Sequence, residues 1–130
     1  MNTAAHIPDW MLDWARLEPH VENALEYSGG THTVEDVFLG VANGDYQFWP
    51  GEESVVITEV LEKPRKTVLH YFLAGGNLGE LEEMAEEIEG WARKEKSIDM
   101  ISLTGRKGWA RTFLGGRGYE KKLVYMTKEL

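Results

Sequence analysis

The residues with the clearest chemical potential lie between Thr67 and Glu95, TVLHYFLAGGNLGELEEMAEEIEGWARKE. An apolar, β-rich run meets the turn Ala74-Gly75-Gly76-Asn77-Leu78-Gly79 and then a long helical pattern. A strand that feeds a helix through a glycine turn leaves unpaired backbone N–H groups at the helix start, and those groups can receive a phosphate. A bare strand-to-helix turn has the same composition, so both readings stand. A second junction, Thr104-Gly-Arg-Lys-Gly-Trp109, sets two glycines around Arg106 and Lys107. It fits either an anion-reading turn or a tight turn with a solvated basic pair. His6, His20, His32 and His70 have no metal-ligand spacing, and HExxH, GxSxG and P-loop patterns are absent from the sequence.

The elements that must position these turns follow from periodicity. Pro8 opens a helix with Trp10, Trp14 and Leu17 on one face. Pro19 fits the first turn of a second helix carrying Val21 and Leu25, stopped by Gly29-Gly30. Thr33 and Asp36 form a capping pair for a third helix with Val37 and Val41 inward, ended by Gly44. The period then changes. Tyr46–Trp49, Ser54–Leu61 and Thr67–Leu73 are predicted strands of an antiparallel meander. Leu78, Leu81, Met84, Ala85, Ile88, Trp91 and Ala92 mark one face of a helix over Leu78–Glu95. Ile98–Leu103 is a predicted strand parallel to Thr67–Leu73, Gly105–Leu114 a short helix, and Leu123–Thr127 a final strand. Trp49, before Pro50-Gly51, suits either an exposed anchor or packing at a hairpin end.

At 130 residues with 42% hydrophobic and 28% charged side chains, the chain is expected to be one globular domain over 1–130. It has no cysteine, so disulfides and thiolate metal sites are excluded. The N-terminus lacks the basic and apolar regions of a signal peptide, and no apolar run reaches the roughly 20 residues of a membrane span. The net charge of -8 argues against general nucleic-acid binding. Residues 1–62 hold twelve acidic side chains and one basic one, Arg16, whereas residues 91–130 hold ten basic and four acidic. That asymmetry gives either two surfaces of opposite charge or two ends that neutralise each other across the fold.

The order of helices, meander, long helix, strand, short helix and strand resembles the GNAT (GCN5-related N-acetyltransferase) fold, an α+β class with a mixed sheet. The segment Ala110-Arg-Thr-Phe113-Leu114-Gly-Gly-Arg-Gly118-Tyr119 is similar to the family pattern A-x-x-L-Y-x-x-x-G-F. Ser28–Val37, the AGG turn and Thr104–Trp109 resemble recurring features of small GNAT-like proteins of tailed phages and prophages. The resemblance implies an acyl-CoA-dependent N-acetyltransferase moving an acetyl group from acetyl-CoA onto an unidentified amine, in the host cytoplasm if the chain is phage-encoded. Its alternative is a non-catalytic protein of the same fold, serving as a virion component or as a binder of a host protein.

The resemblance places pantetheine along Phe72, Leu73 and Ala74 and the pyrophosphate at Gly75, Gly76, Asn77, Leu78 and Gly79. Arg106, Lys107 and Arg111 would face the nucleotide phosphates. Aligned on Leu81, the turn keeps Gly76 of the usual [RQ]-x-x-G-x-[GA] pattern, with Leu73 and Leu78 at the other two positions. Leu114 stands where many relatives carry a tyrosine that protonates the departing thiolate, and Tyr119 takes the buried aromatic position. The general base that such a reaction needs is sought at Glu59 and His70. A lone histidine in an apolar strand is more often a packed imidazole hydrogen-bonded to a neighbour, and His70 fits that reading too.

Overall fold

Trp14, Leu17, Val21 and Leu25 recur at steps of three and four, and they form the buried stripe of a single helix, α1 (Asp9–Leu25). The computed structural model describes residues 7–95, 97–104 and 116–130. Instead of two helices divided at Pro19, one continuous helix forms with Pro19 inside it. A helix-interior proline costs about 3 kcal/mol. Burying each large apolar side chain of the stripe returns roughly 1.5–3 kcal/mol, so the stripe outweighs the break. Pro19 lies on the exposed side, where water can serve the carbonyl that loses its N–H partner.

Thr33 starts α2 (Val34–Ala42) through the expected capping box. Its hydroxyl accepts from Asp36 N at 3.1 Å, and Asp36 accepts from Thr33 N at 2.8 Å. That backbone N–H holds the Asp36 carboxyl below its ordinary pKa.

The meander is β1 (Tyr46–Pro50), β2 (Val55–Glu62) and β3 (Thr67–Gly75), paired antiparallel in sequence order. Helix α3 (Leu78–Lys94) then leads to β4 (Met100–Leu103), which pairs parallel with β3 and completes the order β1-β2-β3-β4. Helices α1 and α2 pack with Val55, Ile57 and Leu73, while α3 packs with Val56, Leu69 and Tyr71. The apolar face of α3 differs from expectation at two positions: Leu78 is 52% exposed, and Glu89 is buried among the apolar residues.

β3 breaks its own alternation. Ile57 pairs with Leu73 and Thr58 with Tyr71, so Phe72 is an extra residue, a β-bulge. Strict alternation would send Leu73 to the α3 face with Tyr71. The bulge returns it to the α1–α2 face, beside Phe72.

The expected final strand does not form. Residues 123–127 belong to no strand, and Leu123, Val124, Tyr125 and Met126 are 88%, 69%, 73% and 84% exposed. β-propensity favours an extended chain, but a strand needs a partner's ladder, and these residues have none among the described residues. The expected short helix lies outside the described residues. No described helix is long and apolar enough to cross a membrane.

Candidate functional site

The pairing of β3 with β4 runs from Val68↔Met100 to Tyr71↔Leu103 and stops there. β3 continues through Phe72, Leu73, Ala74 and Gly75 with no strand beside it on that side among the described residues. A strand edge offering unpaired N–H and C=O groups can take an extended, amide-bearing ligand as a further strand.

This edge leads into the glycine turn, where close packing accounts for the first two glycines. A Cβ on Gly75 would lie 2.8 Å from the His20 carbonyl oxygen of α1. Gly76 has φ +122°, and a Cβ there would lie 2.5 Å from Ser54 Cα in the β1–β2 hairpin. The following amides are partly committed. Asn77 N donates to the buried Ser54 hydroxyl at 2.9 Å, Glu80 N to Asn77 Oδ1 at 3.0 Å, and Leu81 N to Asn77 O at 2.9 Å. Among the described residues that leaves Leu78 N and Gly79 N, the first two amides of α3, without a protein acceptor. They are the turn's free donors for an anion.

Glu80 would appear hostile to a phosphate, but its carboxylate is engaged elsewhere. It accepts from Glu52 N at 2.8 Å and Glu53 N at 2.9 Å. The Ser54 hydroxyl, these two N–H groups and Arg16 hold its pKa below the ordinary value. Arg16 in turn donates to the carbonyls of Glu52 and Gly51 and to Asp13. Asp13, Arg16, Glu52, Glu80, Glu83 and Glu87 line an open, mainly acidic cleft of about 660 Å³ at this end of the sheet.

The two proton-transfer candidates, far apart in sequence, become neighbours. Register places Tyr46 opposite Glu59, Glu59 opposite His70, and His70 opposite Ser102, one row across all four strands. His70 Nδ1 and Ser102 Oγ share a hydrogen bond of 2.8 Å. The Glu59 carboxylate makes no hydrogen bond among the described residues, yet its charge acts on both His70 and Tyr46. Burial pushes the His70 imidazole below its ordinary value, with Glu59 opposing that shift and Lys63 reinforcing it. His70 is therefore neutral at physiological pH and able to accept a proton. Beyond Glu59, burial first and then the Glu59 charge raise the Tyr46 phenol. The Tyr46 and His32 rings stand 5.2 and 4.7 Å from the Phe72 ring, and the Tyr46 hydroxyl is 3.4 Å from His32 Nε2. The row thus ends beside the bulged residue that begins the unpaired edge.

Ser102, Tyr46 and His32 escaped sequence reasoning because strand register is a tertiary property. The available signal was Ser102 alternating with apolar Ile101 and Leu103. Arg106, Lys107, Arg111 and Leu114 lie outside the described residues. Trp49 packs against Trp91 and donates to Thr58 at 3.0 Å, which favours the hairpin-packing role. Tyr119 is half-buried, and its hydroxyl donates to Glu89 at 2.9 Å. No group of described residues could hold a metal ion.

Among solved structures, the chain is similar to the BH1408 protein from Bacillus halodurans, with a TM-score of 0.66 and 14% identity over 92% of this chain and 94% of that one. It is similar also to a possible acetyltransferase from Clostridium difficile 630, with a TM-score of 0.64 and 13% identity over 92% and 93%. A third is an aminoglycoside acetyltransferase from an uncultured soil metagenomic sample, solved with sisomicin, with a TM-score of 0.66 and 12% identity over 92% and 90%. No protein-family model and no curated protein matches the sequence. The fold is that of GNAT-like acetyltransferases, a mixed α+β sheet with flanking helices.

Proposed function

We propose that this protein is an acyl-CoA-dependent N-acetyltransferase acting on an amine. The observation that carries the proposal is the continuity of three features along β3 and into the helix that follows it: the pairing of His70 with Glu59 of β2, the edge from Phe72 to Gly75 that is unpaired among the described residues, and the Leu78 and Gly79 amides at the start of α3. Pantetheine amides would pair with the edge at Phe72, Leu73 and Ala74. The pyrophosphate would take the Leu78 and Gly79 N–H groups within the Gly75–Gly79 turn, with Arg106, Lys107 and Arg111 as its counter-charges. Bound acetyl-CoA supplies a thioester carbonyl activated for attack.

The chain's own part is proton handling. An amine reaches the site as an ammonium and must lose a proton to become a nucleophile. With Nδ1 carrying its proton toward Ser102, His70 Nε2 is the acceptor, and Glu59 stabilises the imidazolium that forms. The excess of acidic side chains over residues 1–62, twelve against one basic, would draw a cationic acceptor toward the protein. The whole chain acts as one domain, with a phage or prophage origin and a cytoplasmic setting belonging to the same proposal.

The test is acetyl-CoA binding by calorimetry and thermal shift, with Gly79→Glu beside the native chain. Acetyl-CoA at 100 times its Kd stabilises the fold by about 2.7 kcal/mol. A Cβ at Gly79 meets only Asn77 Oδ1, at 3.3 Å, and a carboxylate suits a helix N-terminus, so the variant keeps its fold. Its affinity should fall more than tenfold through charge and bulk over the free amides. No binding to the native chain, or equal binding to both, refutes the placement.

Leu73 and Leu114, at the positions of the family's Arg/Gln and tyrosine, favour a second reading: a non-catalytic GNAT-fold phage protein that is a virion component or binds a host protein. Binding without turnover on any amine would select it.

A further inference from the structure

The row of Tyr46, Glu59, His70 and Ser102 lies on the α1–α2 face of the sheet, because Glu59 follows Ile57 by two on β2 and Ile57 packs with those helices. All four residues are half-buried, so each keeps some exposed surface. The two flanks of the row differ. On one flank the Phe72 ring packs against the His32 and Tyr46 rings, and a Cβ at Gly40 of α2 would collide with the Tyr46 ring. That flank is filled. On the other flank, one step along the same face, Leu61 pairs with Val68 and Val68 with Met100. This second row is apolar throughout. Met100 is 42% exposed and Leu61 half-buried, so the row offers a surface to a ligand.

Charge around the titratable row is sparse. Glu59 makes no hydrogen bond among the described residues, and its charge acts on both His70 and Tyr46. Two further carboxylates act on Tyr46: Asp36, already bonded within the Thr33 cap, and Asp45, exposed just before β1. Lys63, two positions beyond Leu61, brings a positive charge to bear on His70. One uncommitted carboxylate with a lysine beyond it suits an ammonium of single charge and opposes a second cationic centre on the same ligand.

We propose that the acceptor is a primary amine of single positive charge on an apolar carrier, with its nitrogen at Glu59 and His70 and its carrier on Leu61, Val68 and Met100. The inference deepens the acetyl-transfer reading of the same row and rests on it. In that reading the cofactor takes the β3 edge from Phe72 onward, so the acceptor approaches from the Val68 side. There the Glu59 carboxylate replaces water around the ammonium, and the carrier buries apolar surface against the second row. A polycation gains less: it leaves that row uncovered and sets its further charges toward Lys63.

The test is calorimetric binding of phenethylammonium, phenethyl alcohol and spermidine to the full chain, without acetyl-CoA. Phenethylammonium should bind at least tenfold more tightly than spermidine, and at least tenfold more tightly than the uncharged alcohol. Glu59→Gln should erase the preference over the alcohol. Met100 is an exposed position, so Met100→Glu should keep the native circular dichroism spectrum while weakening phenethylammonium at least fivefold and strengthening spermidine. Spermidine bound as tightly as phenethylammonium overturns the inference, as does no binding of phenethylammonium, or native preferences in Met100→Glu. The two readings fail separately. Phenethylammonium bound with these preferences to a chain that takes no acetyl-CoA upholds the amine site and removes acetyl transfer. Acetyl-CoA bound by a chain that prefers spermidine removes this inference alone.

Discussion

Two carboxylates stand on opposite faces of the same sheet, and their surroundings diverge. Glu89, on α3, is 6% exposed and fully engaged. Arg117 grips it with two bonds of 3.1 and 2.8 Å, the Tyr119 hydroxyl donates at 2.9 Å, and Arg93 lies 3.6 Å away. Glu59, on β2, is half-buried, has no hydrogen bond among the described residues, and faces a neutral imidazole. A carboxylate with its acceptor positions filled is a clamp: it ties the C-terminal segment to α3 and has no capacity left for chemistry. A carboxylate beside a half-buried, neutral histidine retains that capacity, because its charge can stabilise the imidazolium formed when the ring accepts a proton. Burial alone would have ranked Glu89 as the functional residue; the partners reverse the order.

The largest test of this contrast is His70→Gln. Loss of a general base lowers acetyl transfer by about 10²–10⁴-fold. The glutamine amide can still bond Ser102, so stability and acetyl-CoA affinity should stay near native. An unchanged turnover number would remove His70 from the reaction.

Glu89→Ala should do the reverse. Removing one partner of a buried ion pair costs about 3 kcal/mol or more, read as a lowered unfolding midpoint in denaturant. Acetyl-CoA binding per folded molecule should persist. Native stability in this variant would show that the clamp contributes nothing.

A smaller effect separates the roles of Glu59 and His70. Burial lowers the His70 pKa in the folded state, so the unfolded chain binds that proton first. The native fold therefore loses stability as pH falls below the ordinary value of about 6.5 and toward the folded pKa, and activity falls at the lower edge of that window, as pH passes through the folded pKa and the base becomes protonated. Glu59→Gln removes the charge that holds this pKa up, so the acid limb of the rate profile should move to lower pH. A limb that stays fixed would mean that Glu59 does not sense His70.

The smallest effect concerns Tyr71, whose buried hydroxyl has no hydrogen bond of ordinary geometry. The Tyr119 hydroxyl beside it is committed to Glu89. Tyr71→Phe should change unfolding free energy by less than about 1 kcal/mol, toward greater stability. A clear loss would show that this hydroxyl belongs to the clamp.

Much of the framework was legible in the chain. The capping box at Thr33 and Asp36, the meander, α3 and the parallel β4 all rest on local signals: a polar cap, period-two alternation and period-3.6 apolar spacing. Three features were not. Pro19 reads locally as a helix start, and only the buried stripe on both sides of it makes one helix. Leu123–Thr127 has strand composition but no ladder among the described residues. The bulge at Phe72 shifts Leu73 to the other face, and alternation cannot foresee an inserted residue.

The sequence by itself determined the elements, their order and the glycine turn, because these depend on contacts within a few residues. It also nominated Glu59 and His70 by type. Tertiary structure decided that these two stand side by side with Ser102, since register joins residues 11 and 32 positions apart through hydrogen bonds that no local pattern encodes. It decided too that Gly75 and Gly76 serve close packing against α1 and the hairpin. Folding also brings the Ser54 hydroxyl to Asn77 N, while Leu78 N and Gly79 N have no protein acceptor among the described residues.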